Sequence, residues 1–93
     1  MLEKVKQALR IDGNDHDDEL QGLILTALAM LREVGILESK LVETDDIVRM
    51  AVIQYCKATF GTDPTNSEKF MFLFEEMKKF MSLTQVYTVD VSL

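Results

Sequence analysis

Residues 19–34 read ELQGLILTALAMLREV, and the spacing of their apolar side chains decides the fold class. Leu20, Leu23, Ile24, Ala27, Leu28 and Leu31 follow the i, i+3, i+4, i+7 rule of an amphipathic helix that must bury one face. Asp17, Asp18 and Glu19 fall in its first turn, where the helix dipole favours negative charge. Asp15 just before them is a good N-cap residue. Gly35 suits the left-handed position that ends such a helix. The spacing therefore predicts a helix running to about Val34.

Upstream, Leu2, Val5 and Leu9 keep helical spacing and Ala8 widens the stripe, which predicts a short helix from about Leu2 to Arg10. Ile11 to Asp18, with Gly13 and Asn14, interrupts it. Downstream, Ile36 to Glu43 is a connection. Thr44 is then the expected N-cap of a third helix that ends at Gly61. Between Ile47 and Phe60 the strongly polar residues are Arg49, Gln54 and Lys57. A helix so apolar all round belongs in the middle of a bundle. Asp63-Pro64 is a start signal for a fourth helix reaching about Ser82, a start only after Ser67 being the alternative, with Phe70, Leu73, Phe74, Met77, Phe80 and Met81 on one face. One core is expected from Leu20, Ile24, Leu28, Leu31, Val48, Val52, Tyr55, Phe70, Leu73 and Met77.

Past Leu83 the pattern changes. Val86, Tyr87, Thr88, Val89 and Val91 are β-branched or aromatic residues in an alternating context, which favours extended chain. The expected fold is all-α: a small bundle of about four helices over residues 1–83, with an extended C-terminal tail over 84–93. A lone strand has no sheet to join, so Val86, Tyr87, Val89 and Val91 become candidates for docking onto a partner by strand addition; the rival reading is that the tail folds back over its own helices.

A chain of 93 residues fits one domain with a thin core, and oligomerisation is a common remedy for a thin core. The net charge of −6 argues against gripping nucleic acid, whose affinity comes from Lys and Arg on phosphates. No apolar run approaches the roughly 18 residues of a membrane span. Met1-Leu2-Glu3-Lys4 lacks the basic and apolar regions of a secretory signal, and the single Cys56 fits a reducing compartment.

Enzyme chemistry finds no foothold. A nucleophilic triad needs a base beside its nucleophile. The one histidine, His16, sits in an acidic loop and reads as solvated, while Cys56 lies in the most apolar helix and reads as core. The acidic run Asp12, Asp15, Asp17, Asp18, Glu19 fails as a calcium loop. Counted from Asp12, the sixth and twelfth positions hold Asp17 and Leu23 where glycine and glutamate are required. No catalytic residue, cofactor or metal is expected.

The informative residues lie on the wrong faces. Leu25 and Ala29 fall opposite the buried stripe of their helix, with Gly22 and Thr26 beside them. Met71 and Phe72 project among Glu75, Glu76 and Lys79. Leu25, Ala29, Met71 and Phe72 are the candidate subunit contacts.

The opening Leu2-Glu3-Lys4-Val5-Lys6-Gln7-Ala8-Leu9-Arg10-Ile11-Asp12, followed by Asp15-His16-Asp17-Asp18-Glu19-Leu20, resembles that of phage head–tail connector, or head-completion adaptor, proteins. The apolar segment Ile47 to Phe60 is similar to that family's apolar helix. The fourth helix and tail match it in position and length. The resemblance implies a non-enzymatic structural subunit, of phage or prophage origin, in a ring of identical copies. The ring would dock beneath the portal protein, extend the DNA channel and offer a platform to a stopper or tail-completion protein. DNA would pass through without specific binding, since an acidic wall repels phosphate. The expected location is the virion head–tail interface, and the host cytoplasm during assembly. Two other classes fit the composition: a small helical protein-binding regulatory module, and an acidic helix-turn-helix regulator. The second lacks a basic recognition helix.

Overall fold

The computed structural model describes residues 1–60 and 64–90. Five α-helices form there, α1 (Leu2–Leu9), α2 (Asp17–Glu33), α3 (Asp46–Phe60), α4 (Pro64–Ser82) and a single turn, α5 (Gln85–Thr88), with one 3-10 turn, Glu38–Lys40, between α2 and α3. No strand occurs among the described residues. The fold is all-α, as the periodicity requires.

The ends of the helices follow from local chemistry. α1 stops where Arg10 takes the left-handed conformation, φ 58°. Arg10 N–H then donates to Gln7 O and Ile11 N–H to Lys6 O, which satisfies two otherwise orphaned carbonyls. α2 repeats this arrangement at Gly35, φ 96°, with Gly35 N–H on Arg32 O and Ile36 N–H on Leu31 O. Ile36 itself is buried, supplying the apolar contact that commonly accompanies such a stop. The start of α2 departs from expectation, since His16 and not Asp15 precedes the first helical residue, without a side-chain cap. α3 starts one residue later than expected. Asp45, not Thr44, is its cap, with Oδ1 accepting from Ile47 N–H and Val48 N–H at 3.0 Å each. The expected cap Asp63 and stop Gly61 lie outside the described residues. Ser67 Oγ donates to Ala58 O, tying the first turns of α4 to the end of α3.

α3 is the central helix and packs against α1, α2 and α4. Val48, Ala51, Val52, Ile53 and Cys56 are buried along it. Val5 comes in from α1, Leu20, Ile24, Ala27 and Leu31 from α2, and Phe74 and Met81 from α4. Burying a Leu, Val or Phe side chain contributes about 1.5–3 kcal/mol each, so this one cluster supplies the driving force for the domain. The ring of Tyr55 meets that of Phe74 at 5.1 Å between centroids, a favourable tilted contact.

One expected core residue, Leu73, lies at the surface, and its stripe neighbour Phe80 lies there with it. Leu73 is 37% exposed and Phe80 57%, although both share the apolar stripe of α4. Phe74 and Met81 are fully buried in their place, because α4 is turned so that the Phe74–Met81 line meets α3. Leu28, Tyr55, Phe70 and Met77 are half-buried.

The tail also differs. Thr84 and Val89 have extended backbone, but Gln85–Thr88 between them form a helical turn that packs on α4.

Candidate assembly surfaces

Leu25 is 58% and Phe72 63% exposed, and Ala29 is exposed as well. Met71 is different: it is half-buried and packs against the core. The phase of α4 explains the separation. At about 100° per residue, Phe72 lies about 160° from the buried Phe74, while Met71 lies only about 60° from it.

The outer side of α2 carries a depression. Thr26, Ala29, Met30, Glu33 and Val34, with Lys78 of α4, line an open, largely apolar groove of about 290 Å³. The Thr26 hydroxyl donates to Gly22 O at 2.9 Å, so it is satisfied within its own helix. Lys78 Nζ meets Glu75 Oε2 at 2.8 Å and lies 5.6 Å from the centre of the Phe74 ring, within cation–π range.

The C-terminal turn divides its apolar residues. Tyr87 is buried, whereas Val86 is 64% exposed and Val89 and Leu83 are exposed too. Tyr87 Oη donates to Asp45 Oδ1 at 3.0 Å, and Leu37 N–H donates to Tyr87 O at 2.8 Å. Burial, and secondly the hydrogen bond to Asp45, push the Tyr87 phenol up to about 12. Tyr87 thus serves the domain itself, while Val86 and Val89 are the tail candidates exposed among the described residues. Val91 lies outside the described residues.

A family model described as phage connector protein matches residues 1–88. The chain belongs to the phage connector family. Neither the curated proteins nor the solved structures contain a match. Connector proteins are structural and non-enzymatic, and they work with other head and tail proteins at the head–tail junction of the virion. That membership supports a phage structural connector role for the chain.

In this connector one member of the acidic run, Asp17, ties two helices together. Asp17 Oδ1 lies 2.9 Å from Lys6 Nζ, which also donates to Asn14 Oδ1 at 3.2 Å. The bond to Asp17 raises the Lys6 ammonium above its ordinary value. The pair clips α1 to the start of α2. Among the described residues no three His, Cys, Asp or Glu side chains gather as a metal site. His16 is exposed, with its ring edge-on to Phe60 at 5.2 Å. Cys56 is buried, and burial pushes its thiol up to about 11. Among the described residues no helix is long and apolar enough to cross a membrane.

Sequence reasoning missed Leu73, Phe80 and Leu83 as surface residues and Asp45 as a junction. The signal for the first two was present. Six large apolar residues on α4 span a wider arc than one neighbouring helix can cover, so some had to be left outside. For Asp45 no signal existed, because its partner Tyr87 is distant in the chain.

Proposed function

We propose that the chain is a subunit of a homo-oligomeric ring that docks beneath the portal and joins the DNA-filled head to the stopper or tail. The match to the phage connector family over residues 1–88 carries this reading. The surface agrees with it. Leu25, Phe72, Phe80, Leu83 and Val86 are each more than half exposed, and they lie on α2, α4 and the C-terminal segment. Apolar exposure of this kind suits repeated subunit contacts. The net charge of −6 suits a channel wall that lets DNA pass without holding it. Assembly takes place in the host cytoplasm, and the finished position is in the virion. Val86 and Val89 are the docking residues of the tail, while Tyr87 anchors the turn that presents them.

The test is the solution mass of the purified chain across a concentration series, with negative-stain images at the upper end and on portal-bearing heads. Rings with a central hole, growing with concentration or forming on the portal, are expected. A chain that stays monomeric throughout and leaves the portal bare overturns the reading.

A further inference from the structure

The groove on α2 and the exposed ring of Phe72 are chemically matched but cannot meet within one molecule. The groove holds about 290 Å³, at the lower edge of the ~300–1,000 Å³ usual for small-molecule sites. That is room for one large side chain. Thr26, Ala29, Met30 and Val34 give it small or apolar walls, and Glu33 and Lys78 are its charged residues. Phe72 is a large ring, 63% exposed, on the helix that also supplies Lys78. Six residues separate the two, which turns Phe72 about 120° around α4 from the groove.

We propose that Phe72 of one subunit seats in the Ala29 groove of the next copy of this chain. The inference rests on the reading that copies assemble, and it names the two surfaces through which they do so. Charge complementarity favours a second copy as the occupant. Lys69 and Glu76 lie about one turn to either side of Phe72 and are exposed. The groove offers Glu33 and Lys78, the latter held by Glu75 of its own helix at 2.8 Å, so in one orientation Lys69 meets Glu33 and Glu76 shares Lys78 with Glu75. Exposed pairs of this kind set orientation more than affinity. The apolar insertion supplies the affinity, since aromatic rings in close-fitting pockets dominate interface energetics. Leu25, one helical turn before Ala29 and exposed, extends the same apolar face. Because ring and groove are different surfaces of one molecule, the contact is head-to-tail, the kind whose repetition builds a ring when the rotation between copies closes.

Two single-face variants test the pairing. Phe72→Glu removes the inserted ring and keeps the groove. Ala29→Trp fills the groove and keeps the ring. Both sites are exposed, so circular dichroism and melting should match the unmodified chain; Thr26→Arg blocks the groove from a second position should Ala29→Trp fail to fold. Each variant alone should be monomeric at concentrations where the unmodified chain assembles. Mixed in equal amounts they should form a heterodimer and stop there, because one good contact remains per pair. Native mass spectrometry reads all three states. If the unmodified chain assembles and Phe72→Glu still does so, or the mixture stays monomeric, this pairing is overturned while the ring reading stands. If the unmodified chain assembles only on portal-bearing heads, the same variants are read there by ring formation; if it assembles neither alone nor on heads, both fall.

Discussion

Tyr87 Oη donates to Asp45 Oδ1 at 3.0 Å, joining residues 42 apart in the chain. The same carboxylate oxygen caps α3 by accepting from Ile47 N–H and Val48 N–H. One oxygen therefore starts the central helix and holds the last described helical turn in place.

Substitution at the two ends of this bond should be unequal. Tyr87→Phe removes one hydrogen bond to a charged group, worth about 1.5–3 kcal/mol, and leaves the cap of α3 intact. Asp45→Ala removes the same bond and the cap, adding a further ~0.5–2 kcal/mol. Urea denaturation at neutral pH should rank Asp45→Ala as the weaker protein. Equal midpoints would show that the cap contributes nothing.

The same residue makes stability fall in alkali. The Tyr87 phenol stands at about 12 in the fold against an ordinary 10.0. The folded chain keeps this proton at pH values where the unfolded chain has lost it. The resulting stability is complete below about pH 10 and drains away as pH climbs toward 12. Cys56, at about 11 against an ordinary 9.0, acts in the same direction from about pH 9. Denaturation midpoints between pH 8 and 12 should decline, and Tyr87→Phe should decline less above pH 10. Identical slopes would show that Tyr87 ionises freely in the fold.

The phase of α4 makes a stability prediction of its own. Phe74 is fully buried and Phe80 is 57% exposed. Phe74→Ala should cost about 3–5 kcal/mol through lost burial and a cavity, whereas Phe80→Ala should cost about 0.5 kcal/mol or less. Leu31→Ala, on a fully buried α2 residue, should cost about 2–5 kcal/mol. Thermal melts of the three variants check the order, and a Phe80 variant as damaged as the Phe74 one would show that α4 is turned the other way.

α1 and α2 were legible from periodicity because each has one dominant stripe. Leu20, Ile24 and Leu31 could face only inward, and α3, apolar nearly all round, could only be central. α4 was legible as a helix but not in its rotation. Phe70, Leu73, Phe74, Met77, Phe80 and Met81 offer two overlapping stripes, and packing against α3 chooses between them. The tail was misjudged for a related reason. Its β-branched composition favours extended chain, yet Tyr87 finds a buried site beside Asp45, and the tertiary contact overrides the local preference in Gln85–Thr88. Leu25, Ala29 and Phe72 were legible as exposed residues because each lies opposite the buried stripe of its helix. Met71 was grouped with Phe72 by sequence adjacency, although one step along a helix is about 100° around it.

Cys56 should be inert until the domain opens. It is buried in α3, and a thiol raised to about 11 holds little thiolate at pH 8. Iodoacetamide at that pH should leave the native chain unlabelled by mass spectrometry and label it fully in denaturant. Rapid labelling of the folded chain would place the thiol at the surface.

The C-terminal segment should separate stability from docking. Tyr87 is buried and hydrogen-bonded, while Val86 and Val89 on either side of it are exposed. A Val86→Asp, Val89→Asp double variant leaves the Tyr87 anchor alone, and exposed substitutions of this kind cost within about 0.5 kcal/mol each. Its melting should therefore stay near that of the unmodified chain. If the two valines are the docking surface of the tail, placing carboxylates in that contact should weaken attachment to portal-bearing heads, because an apolar contact excludes unpaired charge. Tyr87→Phe should behave in the opposite way, losing stability but attaching to heads at temperatures where it is folded. Co-sedimentation with portal-bearing heads, run beside thermal melts, reads both effects on the same samples. Normal attachment of the double valine variant would remove the tail from the docking surface and leave α5 with a purely structural task.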